Sequence, residues 1–193
     1  MKQPSADNLL EEDHASVAGL ISQLCLALDG RDVERSFARL DLVWARLAVH
    51  IRAEHLCLFP AVLDAARRQQ ARAGGAARLA EASAAVRRLK RDHDFFMREL
   101  AGAVKALREL RSVRGSAAAE EVLRGVRRTI TAVEARLEEH NRLEEEQVYR
   151  WPAAVLDSDG QARLAECVRR EIGNQPPRFA AGAPEEDDGR TAA

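Results

Sequence analysis

A chain of 193 residues is long enough to bury one sizeable core. With 30 basic against 31 acidic residues, its net charge of -1 leaves no electrostatic footprint for nucleic acid or an anionic membrane. Ala, Leu, Arg and Glu dominate and aromatics make up only 4%, a composition that favours helix at nearly every position.

In chain order, breakers divide the sequence into long helical segments. The first runs from about Asp7 to Leu28 and is stopped by Asp29-Gly30. The second starts behind Asp32, which suits an N-cap, and reaches Leu58. A kink is expected at Phe59-Pro60, because proline clashes with the preceding turn, and helix resumes to about Ala71. After Gly74-Gly75 a third helix spans Ala76 to Leu110, and after the connection Ser112 to Ser116 a fourth spans Ala117 to Tyr149, stopping or kinking at Trp151-Pro152. The turn-like Asp157-Ser158-Asp159-Gly160 precedes a short fifth helix, Gln161 to Ile172. The expected fold class is all-α: an antiparallel up-down-up-down four-helix bundle with a short fifth C-terminal helix, forming one domain over residues 1–172. Residues 173–193, rich in Pro, Gly, Ala and acid, are expected to form a disordered tail.

No stretch has the length and apolarity of a membrane span. Met1 to Asp13 is polar and acidic, unlike a secretory signal, so a cytoplasmic location is expected. Cys25, Cys57 and Cys167 are odd in number and far apart, which reads as free buried thiols in a reducing compartment.

Each long helix carries one apolar seam at steps of three and four. The seams are Leu10, His14, Val17, Ile21, Leu24, Leu28; Leu40, Val43, Leu47, His50, Glu54, Cys57; Val86, Leu89, His93, Phe96, Leu100, Leu107; and Ile130, Val133, Leu137, His140, Glu144, Gln147. Every seam is interrupted by a histidine. Four of the chain's five histidines lie there, which chance would achieve roughly 5% of the time if a seam takes about a third of positions. A single core histidine is usually a hydrogen-bonded packing residue. Four together with two carboxylates point instead to a transition-metal site, because a buried glutamate is costly unless paired or bound to metal.

His50 and Glu54, and again His140 and Glu144, form His-x-x-x-Glu motifs. A four-residue step leaves the two side chains about 40° apart, one turn along. Glu145 and His55, five residues after a histidine, point about 140° away. That makes Glu144 the inward glutamate and leaves His55 a surface residue or a partner of a ligand. The arrangement His14 then His50/Glu54 repeats as His93 then His140/Glu144, so two halves would place a pair of metals between them with both glutamates able to bridge. The metal donors are therefore His14, His50, Glu54, His93, His140 and Glu144, and no catalytic group apart from them is expected. Phe96 and Met97 should line the pocket. Asp92 and Asp94 flank His93 and could orient it, Trp44 and Phe37 read as core, and Tyr149, about 180° from His140, should face away from the metals.

The chain resembles the bacterial hemerythrin-like, or HHE cation-binding, family over roughly residues 8 to 155. The strongest local match is His50-Ile51-Arg52-Ala53-Glu54-His55-Leu56-Cys57-Leu58-Phe59-Pro60. The resemblance implies two iron ions (Fe2+/Fe3+) with a bridging oxo or hydroxo group, reached by O2, H2O2 or NO; zinc or manganese could substitute, since affinity order alone does not select iron. Oxygen carriers of that family hold a further histidine four residues after the first on the third helix, where this chain has Met97, and end in His-x-x-x-x-Asp. The chain is thus closer to the four-histidine, two-glutamate branch. With five ligands on each iron, both metals would keep an open position, which suits catalase-like decomposition of peroxide better than reversible O2 carriage. The alternative is a non-catalytic sensor or binder of O2, nitric oxide or iron, or an iron–sulfur repair factor. A ferritin-like site is disfavoured, since only Glu11 and His14 show its Glu-x-x-His spacing. A monomer or weak homodimer is expected, with no nucleic-acid or membrane partner.

Overall fold

The computed structural model describes residues 4–70, 75–110 and 117–176. Its elements are α1 (Ala6–Asp29), α2 (Val33–Ala53), a π turn (Glu54–Leu58), α3 (Phe59–Gln69), α4 (Gly75–Leu110), α5 (Ala117–Leu143), a second π turn (Glu144–Val148), α6 (Arg150–Val155) and α7 (Ser158–Gly173). The described residues hold no strand. The fold is all-α, with α1, α2, α4 and α5 forming the antiparallel bundle, and no described helix is long and apolar enough to cross a membrane. Most of the predicted tail lies outside the described residues, and Gly173 is the last residue of α7.

Local chemistry sets the ends. Asp32 caps α2 by accepting from the Arg35 amide at 2.9 Å. Ahead of it α1 closes in a Schellman arrangement, with Asp32 N donating to Ala27 O and Arg31 N to Leu28 O, both at 3.1 Å. Gly30 stays helical at φ -76, and the left-handed position falls on Arg31 at φ 57. Asp157 accepts from the Gly160 amide at 2.8 Å, so the predicted turn 157–160 is the first turn of α7 itself.

The seams are buried as expected, with one exception: Gln147 is exposed and Val148 takes its place in the core. The cause is the π turn. Tyr149 N donates to Glu144 O at 2.9 Å, five residues back, and one extra residue per turn sets everything after it back by about 100°. Phe59 N makes the same bond to Glu54 O at the end of the first π turn. Both turns precede a proline. Pro60 and Pro152 lack the N–H that Leu56 and Val148 would accept from in an α-helix, and a widened turn absorbs that loss. The kinks expected at Pro60 and Pro152 are therefore π turns just upstream, and helix runs through both prolines. Trp44 and Phe37 are half-buried against the core, not inside it.

Two apolar clusters fill the bundle. One, including Val17, Leu47, Phe96 and Leu137, packs toward the α1–α2 connection. The other, including Leu10, Phe59, Leu89 and Val148, is closed by α3, α6 and α7. The histidine–glutamate positions lie between these clusters on all four helices. α7 is anchored to the first π turn by a disulfide, Cys57–Cys167, with Cα atoms 5.9 Å apart. Arg52 adds bonds to Glu171 Oε2 at 3.0 Å and to the carbonyls of Glu171 and Asn174 at 2.8 and 2.7 Å. This corrects the free-thiol expectation for Cys57 and Cys167 and removes its support for a reducing compartment. Only Cys25 stays a free buried thiol. The pair is separated by 110 residues, and α7 must fold back before the two sulfurs meet.

Candidate metal centre

His14 comes from α1, His50 from α2, Glu54 and Glu144 from the two π turns, His93 from α4 and His140 from α5, and all six are buried. Their ligating atoms form two groups, His14, His50, Glu54, Glu144 and Glu54, His93, His140, Glu144, in each of which the atoms lie within 4.8 Å of one another. The two carboxylates belong to both groups and divide their oxygens between them. Glu54 Oε1 is 3.2 Å from His50 Nε2 and its Oε2 is 3.1 Å from His93 Nε2. Glu144 Oε2 is 3.3 Å from His14 Nε2 and its Oε1 is 3.5 Å from His140 Nε2. The imidazole rings pair within each half, His14 with His50 at 4.8 Å between centroids and His93 with His140 at 4.7 Å.

Three of the four far ring nitrogens are hydrogen-bonded, and the fourth, His140 Nδ1, faces a carboxylate without a hydrogen bond. His50 Nδ1 is 2.9 Å from Asp13 Oδ2, and His140 Nδ1 is 3.5 Å from Asp92 Oδ2. His14 Nδ1 is 2.8 Å from Glu145 Oε1, and His93 Nδ1 is 2.9 Å from His55 Nε2. Each aspartate is held by an arginine four residues before the histidine it serves: Arg46 on Asp13, and Arg136 on Asp92 at 2.6 Å. A proton on Nδ1 shared with these partners leaves the Nε2 lone pairs of His14 and His50 facing inward, while His93 Nε2 and His140 Nε2 share a hydrogen bond at 3.1 Å.

The enclosed histidines and glutamates set one another's protonation. Burial pushes His50 down, but Glu54 and the Asp13 bond carry it well above the imidazole range. Burial likewise opposes His140, which Glu144 and Asp92 raise. Glu54 is held well below the carboxylate range against its burial by His50 and His93. Glu144 is pushed up by burial and by the Glu54 charge beside it. Four of the inward atoms lack partners. His50 Nε2, both oxygens of Glu54 and Glu144 Oε1 make no hydrogen bond although fully enclosed. Enclosed nitrogen and oxygen donors without partners are what a transition-metal ion satisfies, so the residues fit such an ion.

Several expectations change here. Tyr149, expected to face away, is buried with Oη 3.3 Å from His14 Nε2 and 3.4 Å from Glu144 Oε2. In a π turn residue i+5 stacks over residue i, so the second π turn swings Tyr149 inward. Burial, then Glu144, Glu54 and Glu145, raise its phenol well above the usual value. Glu145 does point off the inner face, yet reaches round to His14. His55 is an exposed residue bound to His93, and burial beside the His93 and Lys90 charges lowers it. Asp92 serves His140, not His93, and Asp94 is exposed. Phe96 is fully buried, its ring 5.3 Å from that of His140, while Met97 beside it is half-buried. Asp13, Arg46 and Arg136 were missed. The repeated pair Asp13-His14 and Asp92-His93 was the signal that could have found the first.

No curated protein and no solved structure matches this chain. A family model described as the hemerythrin HHE cation-binding domain matches residues 5–151, which takes in all six converging residues. With that match spanning most of the 193 residues and the two histidine–glutamate groups inside it, the chain belongs to the hemerythrin HHE cation-binding domain family and carries a metal-binding centre of its type.

Proposed function

We propose that His14, His50, Glu54, His93, His140 and Glu144 hold two iron ions and that the protein reacts there with hydrogen peroxide or O2, decomposing peroxide in a catalase-like manner. The observation that carries this reading is the division of the carboxylate oxygens. Glu54 and Glu144 each aim one oxygen at each histidine pair, which is the layout of two bridging ligands between two ions.

Two irons would supply Lewis acidity and redox capacity for 2 H2O2 → 2 H2O + O2, in which one peroxide is oxidised and the other reduced. The chain supplies the rest. Asp13, Glu145 and His55 fix three of the histidine rings by their Nδ1 atoms and Asp92 faces the fourth, so the donors need little reorganisation during turnover. Phe59 and Phe96 wall the His93/His140 half with apolar rings and keep bulk water out. Met97 stands where oxygen carriers hold an extra histidine, leaving this half with one donor fewer than theirs.

The test is to load the chain with iron anaerobically, measure two irons per chain, and titrate it with O2, H2O2 and nitric oxide while following visible absorption and O2 evolution. Sustained O2 evolution from H2O2 supports the reading. Full iron content with spectral change but no turnover supports a sensor or binder instead.

A further inference from the structure

The two halves of the centre match almost residue for residue. Asp13 and Arg46 behind His50 correspond to Asp92 and Arg136 behind His140. Glu54 and Glu144 each open a π turn, and the residue closing each turn stacks on a candidate ligand histidine. In one half that residue is Phe59, its ring 5.9 Å from His93; in the other it is Tyr149, 6.2 Å from His14. At this matched position the halves differ by one hydroxyl.

That hydroxyl lies among the donor atoms. Its distances of 3.3 Å to His14 Nε2 and 3.4 Å to Glu144 Oε2 are close to the spacing of neighbouring donors around one ion, about 3 Å when each sits about 2.1 Å from the metal. A buried phenol needs a polar partner. Both of its partners are atoms that an ion would claim, and His14 Nε2 has a single lone pair to give, since Nδ1 is committed to Glu145. Resting on the di-metal reading above, we propose that Tyr149 is a seventh donor of the centre, binding as a phenolate to the His14/His50 ion alone. Loading releases the phenol proton to solvent, as it does any proton on the imidazoles.

The consequence is an unequal pair. The His14/His50 ion has five donors from the chain: two imidazoles, one oxygen from each glutamate and the phenolate. The His93/His140 ion has four. A small oxidant meets the less saturated ion, in the half walled by Phe59 and Phe96.

Tyr149 is the one tyrosine in the sequence, which makes the experiment direct. The iron-loaded, oxidised full chain is examined by visible absorption and resonance Raman, beside Tyr149→Phe, with iron content measured for both. The expected result is phenolate ring modes in the wild type and their loss in Tyr149→Phe, which keeps its iron because phenylalanine already serves at the matching position. A wild type with two irons and no phenolate modes overturns the proposal, and the wild-type spectrum decides the matter even if the variant fails to fold. A wild type that takes up no iron is a distinct result that removes the di-metal reading and this one with it.

Discussion

Asp13, the residue before His14 on α1, accepts from Nδ1 of His50 on α2 at 2.9 Å. One dipeptide thus supplies a candidate ligand and the orienting partner of a second ligand on the neighbouring helix. Asp13→Ala frees the His50 ring, and apparent metal affinity should fall about 10–100-fold. Asp92→Ala should do the same in the other half. Competition with a chelator of known affinity reads both; two unchanged affinities would show that these carboxylates do not hold the rings.

Because Glu54 and Glu144 are shared by both groups, removing either should empty both metal positions. Glu54→Ala and Glu144→Ala are expected to lose both irons in elemental analysis, whereas His55→Ala, altering only a partner of His93, should retain them. One iron remaining in either glutamate variant would break the bridging assignment.

Acidity should act oppositely on the metal-free and metal-loaded forms. Burial disfavours charge on His50 and His140, yet Glu54 with Asp13, and Glu144 with Asp92, raise both above the ordinary imidazole value. A raised imidazole stabilises the fold fully below its unfolded value of about 6.5 and loses that contribution as pH rises through the folded value. The metal-free melting temperature should therefore fall as pH climbs above about 6.5. Metal binds only the deprotonated rings, so added metal should stabilise more as pH rises over the same window. Thermal melts with and without metal test this, and parallel curves would contradict it.

The Cys57–Cys167 disulfide closes a separation of 110 residues and pins α7 to the π turn that carries Glu54. Reduction, or Cys167→Ser, should cost about 2–5 kcal/mol of stability and raise hydrogen exchange in α7 before the rest of the bundle. Chemical denaturation with and without reductant measures the cost. Identical curves would mean that Cys57 and Cys167 are not joined.

The periodic part of this protein was legible without tertiary information. Helical spacing alone placed His14, His50, Glu54, His93, His140 and Glu144 on core seams, and all six are buried there, because a residue's face on a regular helix follows from its position in the chain. The four-helix order followed from the breakers at Gly30, Gly74-Gly75 and Gly115. What periodicity could not show lies where the helix is irregular or where contacts are distant in sequence. Two π turns shift the face downstream of each glutamate, exposing Gln147 and turning Tyr149 onto His14. Asp13 and Glu145 became partners of the histidines, and Cys57 met Cys167, only once separate helices packed together. The candidate donors were placed by spacing along each helix; the residues that contact them from other helices, and the Tyr149 hydroxyl beside His14, were placed by the π turns and tertiary packing.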